Sequence, residues 1–467
     1  MQLNIINTCS KSITRKCKRV TWQHFLLSAA LSISPYDNAL AQNQPAEDLQ
    51  HMLALFDSDP QKQRQALLYL TDRDDRTLIQ PLIDAFYFRE MPKEWDWAVG
   101  QLSGKSFGRD WSRWMEWLGQ QALPLHRDYP MFKQALFGTI DPSFRQFLHP
   151  GHPSEIRIDE IVWGGVKKDG IPSLDHPDMI AANQAEWLKK DEDVFGLAVN
   201  GVYHAYPLRI LDWHEMLNID FDGVPITLTY CTLCGAAIPY ERQIGDTTFT
   251  FGSSGLLYRS NKLMYDRQTH SLWSSMRGVP VVGKLVGQGI ELKRHYVVRT
   301  TWQRWRAQHP ETLVLNIETG FPLDYQKSMY EDYFKSSKTM FPVAWRDKAL
   351  KAKDWVYGVI LNGQPKAYAV KKLQKKSLFH DQLAGIQLVV VADQSELAVR
   401  FYKSADVTFV KRPTASELTD QTGARWRMHE HQLVREQDGF TLPRLPGHLS
   451  YWFGWYAFFP KTEVWKD

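Results

Sequence analysis

The sequence predicts an α+β chain: an α-helical, HEAT-like domain followed by two tandem β-rich modules, barrel- or sandwich-like, related by internal duplication. Three observations predict it. Apolar residues recur at helical spacing over residues 48–117, a strand-and-turn grammar begins near Ile156, and the chain matches itself at an offset of about 162 residues. With 467 residues and 43% hydrophobic content, the chain exceeds what one core organises.

Residues 1–41 read as a secretory signal peptide. Lys11, Arg15, Lys16, Lys18 and Arg19 precede an apolar run, Phe25 to Ile33, and the small-residue cleavage site Ala39-Leu40-Ala41. That run is too short to span a bilayer, so no integral membrane span is expected after cleavage, and the mature chain is expected to be periplasmic or secreted. Cleavage removes Cys9 and Cys17 and leaves Cys231 and Cys234 as the only cysteines. It also removes five basic residues and Asp37, which takes the formal charge of +4 to about zero. A neutral mature chain gives no sign of a nucleic-acid footprint or a polybasic membrane patch.

Residues 45–150 form the helical domain. Leu49, Met52, Leu53 and Phe56, then Ala66, Leu67 and Leu70, then Leu78, Leu82, Ile83 and Phe86 lie at helical spacing. Asp57-Ser58-Asp59-Pro60 reads as a helix stop followed by a start, and Asp72-Arg73-Asp74-Asp75 as a polar turn. Trp111, Trp114 and Trp117 fall on one stripe, which favours helix packing over a ligand platform. The paired-helix pattern suggests a docking surface for a protein partner.

The first β-rich module spans 151–320 and the second 321–467. Phe195 to Gly201 falls on Tyr357 to Gly363, and Ala205-Tyr206 on Ala367-Tyr368. Gly223, Ile226, Ala236 and Tyr240 then meet Gly385, Leu388, Ala398 and Tyr402 without a gap. At an offset of about 150, Trp305 to Pro310 meets Trp455 to Pro460. What the copies share is backbone and packing chemistry. What they do not share is reactive: His214, Glu215, Asn218, Cys231 and Cys234 become Lys376, Ser377, His380, Asp393 and Glu396. One site per chain is therefore expected, in the first copy.

Tyr230-Cys231-Thr232-Leu233-Cys234-Gly235 lies between two strand-like runs. A c-type haem site needs histidine where Gly235 stands, and a thioredoxin-like pair needs the first cysteine at a helix N-terminus. A metal knuckle instead sets Cys-x-x-Cys-Gly on a β-turn, with backbone N–H groups toward the sulfurs and glycine at positive φ. The expectation is one transition metal, copper or zinc, held by Cys231 and Cys234, with His214 third and the fourth position open or filled by Met264, and Asp266 and His270 as further donors. Asp420, Thr422 and Trp426 answer Asp266, Thr269 and Trp273, which makes Asp266 look structural. Two alternatives stay open: a thiol-disulfide oxidoreductase using the same cysteines, and a non-catalytic binding or assembly module in which a disulfide staples the turn.

Five motifs in order resemble the family known as domain of unknown function 3179. They are Gly164-Gly165 with Asp169-Gly170-Ile171-Pro172, His214-Glu215, Tyr230 to Gly235, Phe251-Gly252 with Ser254-Gly255-Leu256, and Leu263 to Trp273. The resemblance covers roughly residues 155 to 467 and implies an exported protein with a Cys-x-x-Cys-Gly element, without an activity. The family pattern has proline where Thr232 stands here.

Overall fold

A computed structural model describes residues 47–466, and the leader expected over 1–41 lies outside them. The described chain opens with helices at 47–54, Pro60–Asp72, Ile79–Phe88, Trp95–Ser103, Trp111–Gly119 and Tyr129–Phe137. Their boundaries are local chemistry. Asp59 accepts from Gln61 N–H at 2.8 Å with Pro60 in the first turn, Asp110 accepts from Arg113 N–H at 3.1 Å, and Gly104 closes its helix in the left-handed region at φ 67°. The tryptophan stripe packs rather than binds: Trp114 meets Trp95 and Trp117 edge-on at 6.1 and 5.9 Å. Among the described residues no helix is long and apolar enough to cross a membrane.

The helical region shares its hydrophobic cluster with the sheet that follows. That cluster runs from Met52 and Trp95 through Phe147 to Cys231, Cys234 and Trp273. Arg157 ties the two by donating to the helix-end carbonyl of Leu118 and to that of Gln121, while pairing with Asp159.

The remaining chain is β-rich, so the whole is α+β. Asp193–Val199 and Val202–Pro207 form a hairpin around Asn200-Gly201, both of which sit at positive φ. Val297–Thr301 pairs antiparallel on one side of this hairpin, and Leu313–Leu315 pairs parallel on the other. A second sheet has the same order: Gly447–Tyr451, Trp355–Leu361, Gln364–Ala369 and, parallel, Glu463–Val464, with Asn362-Gly363 at its turn. Each carries a strand glycine under a helix tryptophan. A Cβ on Gly196 would lie 2.3 Å from the Trp305 ring, and one on Gly358 2.1 Å from that of Trp455.

Three antiparallel strands follow each hairpin: Met216–Phe221, Val224–Cys231 and Ala236–Glu241 in the first case, Leu378–Leu383, Ile386–Ala392 and Val399–Lys403 in the second. Meanders come next. Phe251–Tyr258, Asn261–Asp266, Leu272–Ser274 and Val279–Val282 make one, and Phe409–Thr414 through Thr441–Pro443 make the other. In each a buried aspartate anchors a buried tryptophan, Asp266 to Trp273 Nε1 and Asp420 to Trp426 Nε1, both at 2.9 Å.

The turns that follow the central strands dock reciprocally. Tyr451 N–H, at the start of the helix Trp452–Phe458, donates to Cys234 O at 2.7 Å. Thr301 N–H, at the start of the helix Trp302–Gln308, donates to the Glu396 carboxylate, which also receives both Thr300 and Thr301 hydroxyls. Arg304 adds pairs to Asp393 and Glu396. Where one turn carries cysteines, the other carries the acids that cap its neighbour's helix.

Candidate functional site

Strand Val224–Cys231 pairs with Ala236–Glu241 in a register that sets Cys231 opposite Ala236, so Thr232 to Gly235 must reverse the chain. Gly235 N–H closes the turn on Cys231 O at 2.8 Å, with Gly235 at φ 68°. A Cβ there would meet the Trp355 ring at 2.3 Å, so both conformation and space require glycine. The cysteines therefore sit on a tight turn between strands, closed by an i to i+4 bond where a β-turn would have i to i+3, and not at a helix start. Both thiols are free and buried. Asn261 Nδ2 donates to Cys234 Sγ at 3.1 Å, and Gly454 lies close against the Cys234 side chain.

Glu215 ends the helix Leu208–His214 in the left-handed region, φ 53° and ψ −7°, an uncommon conformation for glutamate that the surroundings hold in place. Its carbonyl accepts from Tyr230 N–H at 2.8 Å and from Lys262 Nζ at 2.5 Å. Its carboxylate accepts from the Thr232 hydroxyl at 2.8 Å and the Tyr330 hydroxyl at 3.4 Å, and lies 3.5 Å from Lys262 Nζ. Glu215 and Lys262 are 5% and 4% exposed, a charged pair placed in the core. Such a pair is costly to bury, and its position beside two thiols makes this the candidate site of the chain.

These residues meet at a cavity of about 50 Å³. Cys231, Glu215, Lys262, Ser253 and Tyr330 line it, with Ile171, Leu256 and Phe341 among its apolar wall residues; Cys234 is not part of the lining. Burial pushes the Cys231 thiol up, and Glu215 adds to this. Hydrogen bonds from the Cys234 thiol and from the N–H groups of Cys234 and Lys262 outweigh both and leave it below the ordinary thiol value. Burial, with the neighbouring Cys231 sulfur, drives Cys234 well above that value. Of the two sulfurs, Cys234 therefore holds its proton the more tightly. Burial lowers the Lys262 ammonium, while Glu215 and both sulfurs favour its charge.

The expected metal donors do not gather there. His214 is spoken for at both nitrogens: Nδ1 bonds Pro172 O at 2.8 Å and Nε2 bonds the Tyr325 hydroxyl at 2.5 Å. Met264 is wholly buried in the main core, between Ser253 and Trp273 on the neighbouring strands, and does not line the cavity. Asp266 is structural, accepting from Thr269 N–H and hydroxyl, Ser271 N–H and Trp273 Nε1. His270 stacks on Tyr265 at 6.1 Å, in the turn that Asp266 closes. Among the described residues no group of three or more histidine, cysteine, aspartate or glutamate side chains is placed to hold a metal ion.

Sequence spacing singles out neither Lys262 nor Thr232 as functional, and it marks Glu215 as a reactive position of the first copy without placing it among the expected donors. Thr232 gives Glu215 a hydroxyl donor. Four of the five sequence motifs supply lining residues: Gly164 and Ile171, Glu215, Cys231 and Leu233, Gly255 and Leu256. Lys262 stands one residue before the fifth.

Comparison with curated proteins and with solved structures found no match to either. The family profile described as a protein of unknown function, DUF3179, matches residues 168–462, which take in the cysteine turn, Glu215, Lys262 and both β-rich halves. On that match, over more than half of its length, the chain belongs to the DUF3179 family.

Proposed function

We propose that this chain is an exported thiol-redox protein whose Cys231 and Cys234 cycle between a dithiol and a disulfide. One observation carries the reading: Cys231 lines a cavity beside a buried ammonium, while Cys234 is held behind it by Asn261. The attacking thiol of an exchange pair needs its charge stabilised, and the second needs to keep its proton until it attacks. Lys262 supports the first requirement and the unequal pair supports the second. In the oxidative half, two protons and two electrons leave the pair and the oxidant takes up the electrons.

Internal duplication fits this reading. Matching sheet orders, the paired glycine-tryptophan contacts and the reciprocal turns favour a second copy retained to hold the cysteine turn in place. The HEAT-like character of the helical region and its use for partner docking belong to the same reading.

A second reading, one soft cation such as copper(I) or zinc on the two sulfurs, is favoured by the knuckle-like turn and by amides directed at both sulfurs. The Lys262 ammonium works against it, because a positive charge already occupies the sulfurs' surroundings. Elemental analysis and thiol counting on protein from its native compartment separate the two. The redox reading expects equal metal content in wild type and in the Cys231→Ser, Cys234→Ser double variant. One equivalent of metal in wild type alone would replace it with the cation reading.

A further inference from the structure

We propose that the oxidant this site reduces is a small peroxide, hydrogen peroxide being the simplest, with Cys231 as the attacking sulfur and Cys234 as the resolving thiol. The inference rests on the thiol-redox reading and adds the chemical class of the substrate. Size decides it. The cavity holds about 50 Å³, and one water needs roughly 10–15 Å³ of such space, so only a few non-hydrogen atoms fit. Hydrogen peroxide has two. Glutathione disulfide or a cystine peptide has many times that number, and with Cys231 2% and Cys234 0% exposed a mixed disulfide forms only on local opening of the turn, which slows exchange with bulky reagents without barring it.

The lining suits a peroxide. Lys262, Glu215, Tyr330 and Ser253 supply hydrogen-bonding groups to a lining that includes apolar Leu256 and Phe341. A buried ammonium is the group that stabilises a departing hydroxide. The Cys231 thiolate attacks one oxygen, the O–O bond breaks, and a sulfenic acid forms on Cys231. The departing hydroxide takes a proton from Lys262 and leaves as water; Lys262 regains that proton from solvent. The Cys234 thiol then attacks the sulfenic sulfur, forming the S–S bond as the S–O bond breaks, and its proton leaves with the oxygen as a second water. Two electrons from a dithiol reductant restore the pair.

The full chain, wild type and Cys234→Ser, is mixed with equal concentrations of hydrogen peroxide or glutathione disulfide, quenched in denaturant containing dimedone, and read by mass spectrometry. Peroxide is expected to oxidise the wild-type pair about tenfold faster or more than glutathione disulfide, since access limits the bulky reagent. Cys234→Ser is expected to give a dimedone adduct on Cys231. A pair oxidised as fast by glutathione disulfide overturns the substrate class and leaves the redox reading standing. Oxidation by neither reagent, in a chain whose unfolded form reacts with both, overturns the two together.

Discussion

Lys262→Met removes the buried ammonium and keeps much of the side chain's bulk. Its Nζ lies 3.5 Å from the Glu215 carboxylate, and at an effective dielectric near 20 that separation corresponds to a gross attraction of about 5 kcal/mol. The net effect of breaking a buried pair is dominated by the charge left behind, ~3–5 kcal/mol. Glu215→Gln keeps an oxygen for the Thr232 hydroxyl and strands the ammonium instead. The double variant strands neither charge, so its loss of stability should fall below the sum of the singles by roughly 2 kcal/mol or more. Chemical denaturation of the four proteins measures this cycle. Single variants whose costs simply add would refute the claim that these groups form one charged unit beneath the cysteines.

Other outcomes follow from the same structure. Burial pushes His204 down to about 4 from its ordinary 6.5; the unfolded chain therefore binds the extra proton across that window, and stability is lost as pH falls from about 6.5 to about 4. His204→Gln should lose less over that interval, by up to about 3 kcal/mol, in unfolding measured at several pH values. Gly196→Ala and Gly358→Ala drive a methyl into the Trp305 and Trp455 rings and should each cost ~1–3 kcal/mol in the same assay. Asp266→Ala removes the acceptor shared by four donors, of which Ser271 N–H and the Thr269 hydroxyl keep second partners, and should cost about 1–3 kcal/mol in thermal or chemical unfolding for each buried group left unpaired, while leaving the redox potential of the cysteine pair unchanged.

Much of the fold was legible because its signals are local. Asn200-Gly201 and Asn362-Gly363 set their hairpins, Asp59-Pro60 started a helix, and Gly235 marked a turn, all from residues that dictate their own backbone geometry. Cysteine spacing was equally plain. The charged partners were not, since Glu215 and Lys262 meet through packing between a helix end and a strand far apart in sequence. A signal existed for both. Glu215 becomes Ser377 in the second half, and counting back from Asp266 on Asp420 lays Lys262 on Ser416, so each loses its charge where the cysteines are lost. His214 misled for a physical reason: a polar residue in an apolar stretch was satisfied by Pro172 O and the Tyr325 hydroxyl, partners that spacing does not reveal.

The most direct test of the central claim is a redox titration of the folded chain, equilibrated across a series of dithiol and disulfide buffers and counted by thiol-specific mass labelling. One two-electron transition is expected, linking Cys231 to Cys234 and disappearing in either Cys→Ser variant. Two thiols that stay reduced across the whole series, while the unfolded chain oxidises, would contradict it.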